Sequence, residues 1–184
     1  MDKTKVSTGK PKISGAIFRA ETTATLPTSA TSALSEDFKE LGYASEDGIK
    51  NNNSGESENI RAWGLDVVET VQTSKDDTFK FSLIESLNSE VLRTVHGDGN
   101  VTGTLATGIT VTANSEPLSE HAYVIDMILK GNIAKRIVIP CGNVTETGEV
   151  TYKDDELISY EVTLTCKADS SGNTHYEYIQ EVTA

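Results

Sequence analysis

Cysteine, tryptophan and cationic charge are scarce in this chain, and each scarcity removes a class of protein. The two cysteines, Cys141 and Cys166, are too few and too far apart for a disulfide framework or a thiolate metal site. Both stand beside apolar strand residues and read as free, buried thiols. One tryptophan and 6% aromatic content leave no aromatic cluster on which a sugar could stack. No apolar run approaches the length of a membrane span, so no membrane partner is expected. The start, MDKTKVSTGKPK, has no apolar stretch of the kind a secretory signal needs, and predicts synthesis in a cytosol. Lysine and arginine total 16 against 28 acids, a formal charge of −12. That surface repels phosphate backbones and excludes tight DNA binding, although a channel that carries DNA gains from not holding it. Solubility alone is the more common reason for such a charge and is placed ahead of any special role.

Catalytic signatures are missing too. The three histidines, His96, His121 and His175, stand far apart, none at ligand spacing from a carboxylate or another histidine. The glycine-rich turn at 97–103 follows a predicted helix instead of opening one and carries no lysine, so it reads as a turn and not a phosphate loop. The acidic clusters at 76–77 and 154–156 lack the spacing of a calcium loop. The sequence predicts no enzyme, no metal and no cofactor.

What is present is strand, turn and one helix. Residues 1–12 read as a flexible arm with four lysines, and 13–184 as a single domain beginning with a strand at 13–21. The stretch 22–34 reads as a loop. Residues 44–59 are too polar to order on their own side chains and read as a long exposed loop. Trp63, Leu65, Val67 and Val71 alternate as the apolar face of a strand, TSKDD at 73–77 supplies a turn, and Phe79, Phe81 and Leu83 form the next apolar face. A helix is predicted over Ser89–His96, capped by Asn88, with Glu90 in its first turn, Val91, Leu92 and Val95 as its buried stripe and Gly97 as its stop. Leu87 stands at staple spacing from Leu92. A hairpin is expected around 147–148, and the clearest alternation follows, with Ile158, Tyr160, Val162, Leu164 and Cys166 inward. The fold expected is mainly β: two packed, mostly antiparallel sheets, a β-sandwich, with one short flanking α-helix.

Several segments resemble the major tail proteins that build the tail tube of long-tailed (siphovirus) bacteriophages. They are the lysine-bearing arm, FKELGYASEDGI, ENIRAWGLDVVETVQ and above all KFSLIES followed by NSEVLRTVHGDG; the likeness covers most of residues 13–182. The resemblance implies a virion protein in hexameric rings that stack into a hollow tube for DNA ejection. It implies itself as chief partner, with a tape measure, an initiator and a terminator beside it, and DNA only in transit. The subunit would wait in the host cytoplasm before joining the tail. Terminal arms and a long loop would bridge neighbouring rings. Carried onto this chain, the assembly candidates are Lys3, Lys5, Lys10 and Lys12 in the arm and Glu46, Asp47, Asn52, Asn53, Glu56 and Glu58 in the loop, with the turn 143–156 beside them. Each segment also reads as an ordinary tail or loop. The outward faces carrying Ser159, Glu161, Thr163 and Thr165, or Asp66, Thr70 and Gln72, are candidates for the lumen or for subunit contacts.

Two other readings stay open on sequence. One is a different ring-forming component, such as a secretion tube or a tail terminator. The other is a monomeric β-sandwich that binds a ligand.

Overall fold

Eleven strands and one helix make up the structure, a computed structural model that describes residues 5–12 and 16–182. In chain order the strands are β1 (Gly9–Pro11), β2 (Ile17–Glu21), β3 (Lys39–Glu40), β4 (Lys50–Arg61), β5 (Val67–Leu83), β6 (Val101–Thr102), β7 (Thr110–Val111), β8 (His121–Leu129), β9 (Ile133–Thr147), β10 (Tyr160–Cys166) and β11 (Tyr176–Glu181). The helix α1 (Ser89–His96) lies between β5 and β6. Nine strands form one antiparallel sheet in the order β3-β2-β8-β9-β10-β5-β4, with β1 added to β8 and β11 to β9; β6 and β7 make a second, two-stranded sheet. The mainly β, antiparallel fold with one helix is as expected. Its facing layers are two parts of the same large sheet, because β9 is long enough to serve both. Residues 133–138 of β9 pair with β11, and 142–147 pair with β10.

The main core lies between those parts. Ile17, Tyr123, Ile125, Ile137 and Ile139 from one side share a cluster with Phe79, Phe81, Leu83, Val162 and Leu164 from the other. The alternation read in β10 is realised: Tyr160, Val162, Leu164 and Cys166 are buried and their neighbours half-buried. Alternate β8 residues, Ala122 and Val124, face the opposite way, where Phe38, Leu26 and Leu34 cover them. The stretch read as a loop at 22–34 is thus the lid of a second, smaller core. Arg136 holds that lid in place. Its guanidinium is bidentate to Asp126 (2.6 and 2.7 Å) and donates to the Ser29 and Ser32 carbonyls, with both side chains buried.

The helix forms where the sequence places it. Asn88 accepts a 3.0 Å bond from the Glu90 amide, and Gly97 takes φ 97° and donates to the Arg93 carbonyl. Val91, Leu92 and Val95 enter the main core. Leu87 stays exposed, so the staple contact is not what fixes the entry.

The largest departure is at 44–83. Residues 50–59 of the expected loop belong to strand β4, which runs to Arg61 and pairs along its length with β5. The reading rested on side chains too polar to bury, and β4 is indeed exposed throughout. What orders it is backbone pairing, which needs no apolar side chain. TSKDD is no turn either, because Thr73 to Asp77 lie inside β5, and the chain reverses at 62–66 instead, where Gly64 takes φ 113° and Leu65 φ 73°. Trp63, Leu65, Val67 and Val71 are all exposed. Their alternation belongs to a hairpin that has left the core behind. At the start of the chain, residues 9–11 of the expected arm pair with 127–129 of β8. Lys3 and residues 13–15 of the predicted first strand lie outside the described residues.

Candidate functional site

The hairpin of β4 and β5 is the feature the fold positions most deliberately. Its root sits in the core and its shaft does not. Phe79, Phe81 and Leu83 are buried and pair with β10, whereas residues 67–76 pair with β4 alone. At about 3.4 Å per residue that free length is roughly 30 Å. Among the described residues, neither the outer edge of β4 nor the other edge of β5 over 67–76 has a strand beside it. Such edges present rows of unpaired amide and carbonyl groups, ready to extend a sheet into another chain.

The tip adds apolar surface. Ile60, Trp63, Leu65 and Val68 stand out from it, and the Trp63 side chain has no protein cover at 107% exposure. The reversal is held by backbone bonds between Ala62 and Asp66 and between Leu65 and Ala62, and by Arg61, which donates to the Leu65 carbonyl at 2.8 Å. The tryptophan is therefore presented on a shaped turn.

The root is fastened by one carboxylate. Asp77 is 1% exposed and accepts from Asn51 on β4 at 2.8 Å, from Thr174 at 2.5 Å and from His175 Nδ1 at 2.5 Å. Burial pushes its pKa up, but the bonds from Thr174, His175 and Asn51 together outweigh burial and hold it below the ordinary value of 3.8. The His175 ring meets Phe79 edge-on at 5.2 Å, so the carboxylate and the aromatic root of the hairpin share one clamp.

The sequence-predicted residues fall into two groups. Asn52, Asn53, Glu56 and Glu58 all lie on β4, opposite Thr78, Asp77, Ser74 and Val71, and all are exposed. Lys10 and Lys12 lie on and beside β1, where they line one pocket with Glu46 and Tyr43. Lys12 also reaches Asp126 at 3.8 Å. Asp47 is exposed in the turn beside Glu46, and Lys5 is exposed ahead of β1. The sequence reading does not find the hairpin tip, because it places Trp63 and Leu65 on the apolar face of a continuous strand. The available signal was Gly64 between two apolar stretches, which marks a reversal.

A second cluster lies at the far end of β2. Asp98, in a 3-10 turn after α1, faces His121 at the start of β8 and Glu21 at the end of β2. His121 Nε2 is 3.1 Å from Asp98 Oδ2 and 3.6 Å from Glu21 Oε1. The buried Arg19 guanidinium joins Asp98 Oδ1 at 2.5 Å and Glu90 at 3.4 Å, and Glu90 also accepts from Arg93 at 2.8 Å. No spacing in the sequence hints at this grouping, because its members come from positions 19, 21, 90, 98 and 121.

Comparison with known proteins sets these surfaces in context. A family described as Phage tail tube protein matches residues 12–184. No curated protein matches the chain. Among solved structures, the cryo-EM structure of the anti-feeding prophage cap (AFP tube terminating cap) is similar over 99% of this chain and 100% of that one. Its identity is 9% and its TM-score 0.43.

Proposed function

Because this chain belongs to the phage tail tube protein family, we propose that it is the structural subunit of a long-tailed (siphovirus) phage tail tube. Its subunits join into hexameric rings that stack around the path of DNA ejection. The observation that carries the reading is the hairpin: two open strand edges and an uncovered Trp63 on a shaft of roughly 30 Å. Both demand cover, and a closed ring of identical copies supplies it, since each subunit's free edge meets its neighbour's. The exposed cations Lys5 and Lys10 suit the acids Glu56 and Glu58 of another copy's β4. Glu46, Asp47, Asn52 and Asn53 belong to the same contacts. Lys3 would join Lys5 and Lys10 in bridging neighbouring rings, whereas Lys12 is already engaged with Asp126.

The half-exposed polar face of β10, with Glu161, Thr163 and Thr165, continues across Lys80 and Ser82 of β5 toward the hairpin. With a net charge of −12 overall, such a face lining the lumen lets DNA slide without binding. The role is structural and asks nothing of a catalyst. The subunit waits in the host cytoplasm, then meets an initiator, a tape measure and a terminator as the tube grows.

Negative-stain electron microscopy of the concentrated protein, with light scattering beside it, tests the reading. Rings or hollow tubes are the expected result. A monomer at every concentration, with and without a tail initiator complex, would count against it.

A further inference from the structure

We propose that Glu21, Asp98 and His121 form a binding site for a divalent transition-metal ion such as zinc, which clips β2, the turn after α1 and β8 together. The inference stands apart from the tube reading and rests on the geometry of one imidazole. His121 is 4% exposed, and its Nδ1 lies 3.1 Å from the Ser119 carbonyl. A carbonyl can only accept, so Nδ1 carries a proton, and Nε2 is the ring atom that faces Asp98 and Glu21. Nε2 has no hydrogen-bond partner among the described residues. The Asp98 oxygen is near enough at 3.1 Å but lies off the axis of the ring nitrogen, so the contact is not a hydrogen bond.

Off-axis oxygens are what a shared cation produces. With bonds of about 2.1 Å, separations of 3.1 and 3.6 Å from nitrogen to the two oxygens correspond to ligand–metal–ligand angles of roughly 95° and 120°. The ligand atoms of all three side chains lie within 4.8 Å of one another. One imidazole and two carboxylates suit zinc and its neighbours better than calcium or magnesium, which prefer oxygen alone. The surroundings match a metal's second layer. The Ser119 carbonyl fixes the tautomer of His121, and Arg19 holds the other oxygen of Asp98, leaving Oδ2 turned inward. Glu21 is 74% exposed and gives an ion its route in from solvent.

The test is titration of the full-length, EDTA-treated protein with zinc chloride at pH 7.5, read by calorimetry and by thermal unfolding. Wild type should take up one equivalent saturably. At a hundredfold excess over the dissociation constant its Tm should rise by about 5–10 °C. Glu21→Gln, altered at an exposed position that leaves the fold alone, should weaken uptake about tenfold or more, and Asp98→Asn likewise. Either no saturable uptake by wild type, or uptake by Glu21→Gln equal to that of wild type, would overturn the proposal. Equal uptake would assign the zinc to the thiols or to the other histidines.

Discussion

His175 Nδ1 stands 2.5 Å from Asp77 Oδ2, joining residues 98 positions apart and fixing the root of the hairpin to the segment that leads into β11. Because the carboxylate is buried, its neighbours decide whether the hairpin keeps one orientation. Asn51, Thr174 and His175 all lose their acceptor if it goes. Asp77→Ala should destabilise the subunit by about 3 kcal/mol, since buried donors are then left unsatisfied. Urea unfolding measures it, and a loss under about 1 kcal/mol would show that water replaces the carboxylate.

The same group sets an acid limit. Burial opposes ionisation of Asp77, yet its three hydrogen bonds keep the folded pKa below the unfolded value of 3.8. Its stabilising contribution is therefore complete above that value and is lost as pH falls through the folded pKa. Wild type should lose more stability between pH 5 and 3, as about two points on a urea series, than Asp77→Asn does. Parallel losses in the two proteins would assign acid sensitivity to other carboxylates.

How much of this was legible in the sequence depends on whether side chains or backbone did the ordering. The β10 alternation from Ile158 to Cys166 and the α1 stripe of Val91, Leu92 and Val95 could be read directly, because those side chains are what the core holds. The run from Trp63 to Val71 carries the same pattern with the opposite meaning. Alternation reports a two-faced strand but not which chain covers the apolar face, and here the face from Trp63 to Val71 is left exposed. The polar stretch 50–59 misled in the other direction, since main-chain pairing to β5 supplies what its side chains cannot. The histidine–carboxylate groupings were invisible because the fold, and no local spacing, brings Asp77 to His175 and Asp98 to His121.

Arg136 offers a test of the second core. Its guanidinium joins Asp126 across β8 and β9 and pins residues 29–32 through two carbonyls. Removing one partner of a buried ion pair strands the other, so Asp126→Ala should cost about 3–5 kcal/mol. Replacing both, as Asp126→Leu with Arg136→Met, should recover part of that loss while leaving 29–32 open to proteolysis. Equal protection of that segment in the double variant would show that Leu26 and Leu34 suffice to hold it.

Both thiols should be inert in the folded chain. Burial pushes Cys166 up to about 12, and burial followed by the Glu120 carboxylate, which accepts from the thiol at 3.1 Å, pushes Cys141 up to about 11. At pH 8 the thiolate fraction of Cys141 is then on the order of one in a thousand. Alkylation with iodoacetamide should be slow in buffer and rapid for both in denaturant. Fast native labelling at Cys141 would mean that the Glu120 contact is open in solution.

Trp63 separates folding from assembly. Its side chain touches no core, so Trp63→Ala should leave Tm unchanged within about 1 °C. An aromatic anchor buried between copies, by contrast, commonly carries about 2 kcal/mol or more of an interface. The variant should stay monomeric at concentrations where wild type scatters light as an assembly. In an assembled wild-type sample the tryptophan emission should shift to the blue as water leaves the ring. Unshifted emission in assembled wild type would place the tip outside the interface.

The hairpin shaft makes the sharper test, because register allows its clean removal. Asn53 lies directly across from Asp77, so replacing residues 54–76 with Asn-Gly closes the shortened strands through a two-residue turn. Everything the core uses survives: Phe79, Phe81 and Leu83 still pair with β10, and Asn51 still meets Asp77. The removed part contributes exposed side chains and backbone pairs that satisfy only one another, so the shortened subunit should unfold within about 1–2 kcal/mol of wild type. It should also be unable to extend a ring or a tube, having lost both free edges and the apolar tip together. Tubes of normal diameter from this variant would show that the subunits join through the β1 edge and the 42–49 segment instead.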